Sequence, residues 1–256
     1  MDNKSLLFQR WMIFLYGVFS YTVGLAGQFW FILYLGEWDF MERTVYSPQT
    51  LPVWTAVIIN SGLVLLFGLQ HTVMARQWFK DHLIRYIPRS AERSTYVLLS
   101  GMALIVVVLF WQPIDGIVWK VDAEPWHTLL IIGYLLGWLF SVVASFVINH
   151  FELFGLQQVY FNLKNREMPD IAFQEKLFYT FVRHPIQLGV LIGIWVTPTM
   201  TYGHLLFSVL FTIYIFVGLY YEEIDMQEHF GVLYRDYKKR VGMLFPKSFK
   251  SKKCIK

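Results

Sequence analysis

Residues 183–223 read RHP-IQLGVLIGIWV-TPTMTYG-HLLFSVLFTIYIFVGL-YYEE. From Ile186 to Leu219 there is no Asp, Glu, Lys or Arg. The centre, Thr197-Pro198-Thr199-Met200-Thr201-Tyr202-Gly203, is rich in residues that break helices and form turns. Two topologies follow. A single kinked helix would leave the carboxyl-terminal tail on the far side of a membrane. A hairpin returns it to the side it left. The distribution of basic residues decides between them, because Lys and Arg collect on the cytosolic side of membrane proteins. With the hairpin, and the amino terminus inside, twenty of the 22 Lys and Arg are cytosolic and only Arg43 and Lys120 are outside. A single helix would move nine of the twenty outside. The hairpin is therefore expected, with arms at about 186–197 and 203–219, each too short for certain passage through a ~30 Å hydrocarbon core.

The remaining spans fall on either side of charged blocks. They are predicted at about 11–35, 52–75, 95–111 and 126–148, with Pro52 and Pro125 opening helices and Pro113 closing one. The first is too long for a signal peptide and shows no small-residue cleavage site. The expected fold class is all-α: a polytopic membrane helical bundle of four transmembrane helices, a carboxyl-terminal membrane hairpin and a cytosolic amphipathic tail. Composition agrees. Of 256 residues, 56% are hydrophobic and 16% charged, against about a quarter charged in soluble domains. No polar segment is long enough for a soluble domain, so residues 1–256 form one unit. The net charge of +4 serves topology and anionic lipid rather than nucleic acid. The lone Cys254 permits no disulfide within the chain and reads as a solvated tail thiol. Asn3-Lys4-Ser5 matches a glycosylation sequon on the wrong side of the membrane.

The hairpin also gathers chemistry. His184 and Glu222 are 38 positions apart, roughly 57 Å on one straight helix, yet the hairpin sets them at the same end. Arg183, His184 and Pro185 then face Glu222 and Glu223 at the membrane surface. Ionisable residues there are functional candidates; an ordinary interfacial ion-pair belt is the equal alternative. His71 and His150 sit at the same end, in Gln70-His71-Thr72 and Asn149-His150-Phe151. A lone histidine is more often a satisfied structural residue than a catalyst. Tyr234 and Tyr237 share a helix face. They belong either to a surface helix with tyrosines among the headgroups or to a lid over an adenosine-like ligand.

The Arg-His-Pro segment, the Glu-Glu pair, Phe230-Gly231, Tyr234 and Tyr237 resemble the isoprenylcysteine carboxyl methyltransferase superfamily over roughly the last 80 residues. The whole chain is similar to the bacterial methanethiol S-methyltransferases, near the nurim-like group. Carrying that likeness are Gln70 to Arg76, Glu92 to Tyr96, His150 to Leu156, Thr197 to Thr201, Gly203 and His204. Gln187 stands where the superfamily often has Tyr. The resemblance implies S-adenosylmethionine as methyl donor, methanethiol or another small thiol as acceptor, and dimethyl sulfide as product. It implies a cofactor-binding region at about 179–240, using Arg183, His184, Pro185, Gln187, Glu222, Glu223, Tyr234 and Tyr237. No metal is called for, and no Cys/His cluster has metal-ligand spacing.

The thiolate is the nucleophile, so a base helps; His71 and His150 are the candidates, His71 first. The expected setting is a bacterial inner membrane, with both termini and the site cytoplasmic. The lipid bilayer is then a partner, and no obligate protein partner or nucleic acid is implied. Rival readings are a methyltransferase acting on a prenylcysteine or lipid, a haem protein with His71 and His150 as axial ligands, and a non-catalytic scaffold.

Overall fold

A computed structural model describes residues 3–169 and 172–247; Cys254 lies outside them. The helices are α1 (Asn3–Leu35), α2 (Val53–Ala75), α3 (Gln77–Leu83), α4 (Glu92–Phe110), α5 (Trp126–Ile148), α6 (His150–Leu153), α7 (Leu156–Leu163), α8 (Pro185–Trp195), α9 (Tyr202–Phe230) and α10 (Val232–Arg240). Two short strands, β1 (Ile117–Lys120) and β2 (Thr199–Thr201), pair antiparallel. Five helices, α1, α2, α4, α5 and α9, are long and apolar enough to cross a membrane, and α8 is a shorter apolar helix. Large apolar side chains cover their outer faces, among them Trp54, Ile58 and Leu65 on α2 and Leu129, Leu136 and Leu139 on α5. Such a surface suits lipid and not water, and helices suit lipid because they satisfy their own backbone. The protein is an all-α, polytopic, integral membrane bundle.

Several boundaries differ from those read off the sequence. Helix α1 begins at Asn3 rather than Trp11, because nothing between them breaks a helix and Leu6, Leu7, Gln9 and Arg10 are good helix formers. Helix α4 begins at Glu92 rather than Thr95. The larger change is in the hairpin. Its second arm does not stop near Leu219 but continues as one helix to Phe230, carrying Glu222 and Glu223 in its last turns.

Close helix approach rests on small residues. On α5 and α8, Gly133-Tyr-Leu-Leu-Gly137 meets Gly189-Val-Leu-Ile-Gly193. A Cβ added at Gly189 would lie 2.6 Å from the Gly137 carbonyl oxygen, so only glycine permits this spacing. Between α1 and α4, a Cβ at Gly101 would lie 2.7 Å from the Gly24 Cα. An aromatic core fills the centre: Phe207 stacks on Phe211 at 4.4 Å, and Phe31 lies 5.2 Å from each.

The turn of the hairpin is pinned rather than loose. Strand β2 pairs with β1, with Thr201 opposite Ile117 and Thr199 opposite Lys120. A buried polar knot lies beneath. The Tyr46 hydroxyl lies 2.8 Å from Thr197 Oγ1 and 2.8 Å from His204 Nδ1, while His204 Nε2 donates to the Ile194 carbonyl at 3.0 Å. Ser208 also donates to Ile194, at 2.6 Å. The break in the apolar run thus has its freed carbonyls satisfied by neighbours, as membrane depth demands. Asn60, fully buried on α2, serves the end of α4 likewise. Its Nδ2 donates to Gln112 O at 2.7 Å, and its Oδ1 accepts from Gln112 N at 2.8 Å. At the opposite end of the bundle, Arg76 at the end of α2 pairs with Asp225 of α9 at 2.8 Å. That end also carries Arg183 and is called the Arg183 end below.

Candidate active site

The site starts from a proline. Pro185 opens α8 at its first helical position, and His184 before it is extended, with φ −127° and ψ 65°. A proline disfavours helix for its predecessor, and the N–H groups of Arg183 and His184 turn away from their own segment, where Val182 forms a single bridge with Gly242. The tail supplies their acceptors. Arg183 N donates to Gly242 O at 2.9 Å and His184 N to Met243 O at 3.1 Å. Gly242 is required there, since a Cβ would fall 1.8 Å from the Phe245 carbonyl oxygen. This pairing brings α10 onto α9. Tyr234 and Tyr237 face inward, 2% and 3% exposed, and pack with Phe173 and Val241. They do not sit among headgroups. The Tyr237 hydroxyl donates to the Tyr179 carbonyl at 2.6 Å. Burial pushes both hydroxyls to higher pKa, with Glu223 adding to the effect at Tyr234 and Glu175 at Tyr237.

Charges converge between these elements. Arg183, 7% exposed, donates from Nε to Glu223 Oε1 at 2.8 Å, and its NH2 binds the same oxygen. Its NH1 donates to Val241 O at 2.5 Å, at the carboxyl end of α10, where a cation complements the helix dipole. Lys238 reaches the other oxygen of Glu223 at 2.7 Å. His184 lies 3.3 Å from Glu223 and 3.7 Å from Glu222, and Gln187 donates to Glu222 at 3.3 Å. All eight residues assigned to cofactor binding from the sequence therefore lie in one neighbourhood. Lys238 escaped that reading, because it stands in the run Lys238-Lys239-Arg240 and resembles a solvated charge.

Successive residues on a helix point about 100° apart, so the two carboxylates face different spaces. Glu223 shares a face with Phe216, Tyr220 and Gln227. Together with Arg183 and Lys238 these line a cavity of about 470 Å³, within the usual range for small-ligand sites. Glu222 turns towards α8, where Gln187 and His184 meet it. The Tyr234 hydroxyl is buried beside Arg183 without a hydrogen bond of full geometry. A half-open cavity, both signs of charge and a buried hydroxyl short of a partner together fit a zwitterionic ligand.

The two histidines are placed differently. His71 lies between α2 and α4, with Nε2 2.5 Å from the Tyr96 hydroxyl and Nδ1 3.1 Å from Ser100 Oγ. Its ring is 6.1 Å from that of Tyr214 on α9. His150 is 5% exposed and belongs to α1 and α5. The Tyr21 hydroxyl lies 2.9 Å from Nε2, Ser145 Oγ lies 2.8 Å from Nδ1, and Phe146 and Phe154 stack on its ring. Burial lowers its pKa. Both nitrogens of both histidines are taken by protein groups, an arrangement unlike a pair of axial ligands. Tyr96 ends the segment Glu92 to Tyr96 that carries the resemblance, but the sequence gives no role to it or to Ser100; the packing of α4 on α2 sets both against His71.

No protein-family model matches the chain. No solved structure matches it. Characterised relatives do. A methanethiol S-methyltransferase of Mycobacterium tuberculosis is 42% identical over 238 residues, which is 93% of this chain and 97% of that protein. A methanethiol S-methyltransferase of Crocosphaera subtropica is 39% identical over 237 residues, covering 93% and 92%. Nurim of Bos taurus is 29% identical over 188 residues, covering 70% and 71%. At this identity and coverage the chain belongs to the methanethiol S-methyltransferase family.

Proposed function

We propose that the protein methylates methanethiol to dimethyl sulfide with S-adenosylmethionine as donor. The observation that carries this reading is the Arg183–Glu223–Lys238 cluster beside a cavity of about 470 Å³, in a chain whose near relatives bear that enzyme's name. When bound, S-adenosylmethionine supplies a methyl group on a positively charged sulfur. Arg183 and Lys238 suit its carboxylate, and Glu222 and Glu223 suit its ammonium and sulfonium charges. Tyr234 and His184 offer hydrogen bonds, and Pro185, Gln187 and Tyr237 hold these groups in place. His71 is the base, because it packs on Tyr214 of α9, the helix that carries Glu222 and Glu223. His150 is assigned a structural role between α1 and α5.

The Arg183 end is assigned to the cytosol, where the donor is made, and both termini with it. Of the 18 Lys and Arg among the described residues, 16 lie at that end. The membrane is taken to be a bacterial inner membrane, as the bacterial relatives suggest. A small apolar thiol arrives through lipid and its neutral thioether product leaves the same way. Expression in a host that makes no dimethyl sulfide, with methanethiol supplied and headspace gas read by chromatography, tests the reading. Dimethyl sulfide above that of an Arg183→Ala control is expected. Intact protein that binds S-adenosylmethionine yet yields none would sink the choice of methanethiol.

A further inference from the structure

We propose that Tyr96 is a catalytic residue of this reaction: its hydroxyl takes the proton of the thiol while handing its own to His71. The proposal rests on the methyl-transfer reading above and goes beyond it in naming the group that meets the substrate.

The starting point is that His71 has no free nitrogen. Nδ1 is engaged by Ser100 and Nε2 by Tyr96. A base can take a proton only at an unprotonated nitrogen, so a proton reaching His71 comes through one of these hydroxyls. With the Nδ1 proton donated to Ser100, Nε2 accepts from Tyr96, and the phenol oxygen keeps lone pairs for a further donor. Of the two hydroxyls, the phenol is far the stronger acid and hence the better relay. The surroundings of Tyr96 favour the same choice. The Arg93 guanidinium lies 4.7 Å over its ring and is itself fixed by a 2.7 Å hydrogen bond to Leu153 O. That positive charge stabilises any negative charge that grows on the phenol oxygen during transfer. His71 packs on Tyr214 of α9 at 6.1 Å, and Arg76, beyond it on α2, pairs with Asp225 of the same helix at 2.8 Å, so the group lies against the stretch of α9 that carries Glu222. On this proposal the donor's methyl group comes to the phenol from this side of α9.

The step balances. The thiol S–H bond breaks and an O–H bond forms on Tyr96. The original Tyr96 O–H bond breaks and an N–H bond forms at His71 Nε2. Tyrosine ends neutral, His71 becomes imidazolium, and the thiolate carries the electron pair that bonds to the methyl carbon. After the neutral thioether leaves, the extra proton returns from His71 through Tyr96 to water.

The test compares wild type, Tyr96→Phe and Ser100→Ala with two acceptors. One is methanethiol. The other is 2,2,2-trifluoroethanethiol, a small thiol made more acidic by its fluorines and so less in need of a base. Tyr96→Phe is expected to lower kcat for methanethiol by about 100-fold, the usual scale of general-base assistance. It should lower kcat for the acidic thiol by less than about fivefold. Ser100→Ala, which removes the acceptor for the His71 Nδ1 proton, should lower kcat for methanethiol by no more than about tenfold, less than Tyr96→Phe does, because the thiol's proton does not pass through it. Affinity for S-adenosylmethionine, read by equilibrium dialysis, should be unchanged in both variants, which also shows that they fold. Equal losses for the two thiols in Tyr96→Phe would reduce Tyr96 to a packing role and overturn the proposal. So would methanethiol turnover at the wild-type rate. Wild type that turns over neither thiol would sink the methyl-transfer reading and this inference with it.

Discussion

The two ends of the α8–α9 hairpin are both polar and both buried, and they differ in what they leave over. At the turn, Tyr46, Thr197, His204 and Ser208 are neutral and satisfy one another and the carbonyls of Ile194 and Thr199. A carbonyl only accepts, so His204 carries its proton on Nε2 and accepts from Tyr46 on Nδ1. The void nearby, lined by Tyr134, Thr197 and Pro198, is about 20 Å³, room for a single water at most. At the Arg183 end the groups are charged, Lys238 and Glu222 remain partly exposed, and about 470 Å³ stands beside them. Burial of polar groups therefore does not mark a site in this fold. Charge of both signs around unfilled volume does.

The largest expected effect tests that distinction directly. Glu223 holds Arg183, His184 and Lys238 at once. Glu223→Gln keeps the shape and removes the charge, leaving a buried guanidinium without its counter-ion, a loss of about 3 kcal/mol. Affinity for S-adenosylmethionine should fall by about 100-fold, of the order expected when a charge-assisted contact to a ligand is lost. Thermal unfolding in detergent and equilibrium dialysis read the two quantities separately. A variant that loses stability but keeps its affinity would make the cluster a structural knot like the one at the turn, and the contrast would collapse.

A smaller effect is expected at the turn itself. Tyr46→Phe removes the donor to His204 Nδ1 and leaves that nitrogen buried and unpaired, at a cost of about 1–2 kcal/mol. Affinity for the methyl donor should not change, since no residue of the knot reaches the Arg183 end. A drop in affinity would show that the two ends are coupled through α8 and α9, and would sharpen the comparison into one of two linked sites.

The sequence made one side of this contrast far more legible than the other. Arg183, His184, Glu222 and Glu223 were readable because a charge-free run with a turn at its centre must fold back, and folding back joins its flanks. Lys238 was hidden by two basic neighbours, although its position four residues after the inward-facing Tyr234 sets it beside the buried face. Tyr96 stood in a segment that carries the resemblance, Glu92 to Tyr96, but as one of 15 tyrosines it showed no role until the packing of α4 on α2 set it against His71. The pairing of β1 with β2 was equally hidden. Ile117 to Lys120 shows no alternation, and its partner lies in a stretch that reads as turn. The length of α9 was underestimated because charge was taken to end the helix. Glutamate is a good helix former, and these two find cations, a histidine and a glutamine around them.

The smallest effect concerns His150, the histidine at the Arg183 end that belongs to neither polar cluster. Its ring is held by the Tyr21 and Ser145 hydroxyls and by two phenyl faces, and burial holds its pKa below the usual 6.5. An unfolded chain would bind a proton there at about pH 6.5, while the folded protein resists it. The unfolded state therefore holds more protons below that pH, and stability falls as pH drops. The contribution is whole above about pH 6.5 and is lost on the way down to the depressed folded value, with a slope of at most about 1.4 kcal/mol per pH unit for one proton. Melting curves at pH 7.5 and 5.5 should show wild type losing more stability than His150→Gln, which cannot titrate. Equal losses would mean that His150 is already charged in the fold. A base role for it would then be closed, and His71 would stand alone.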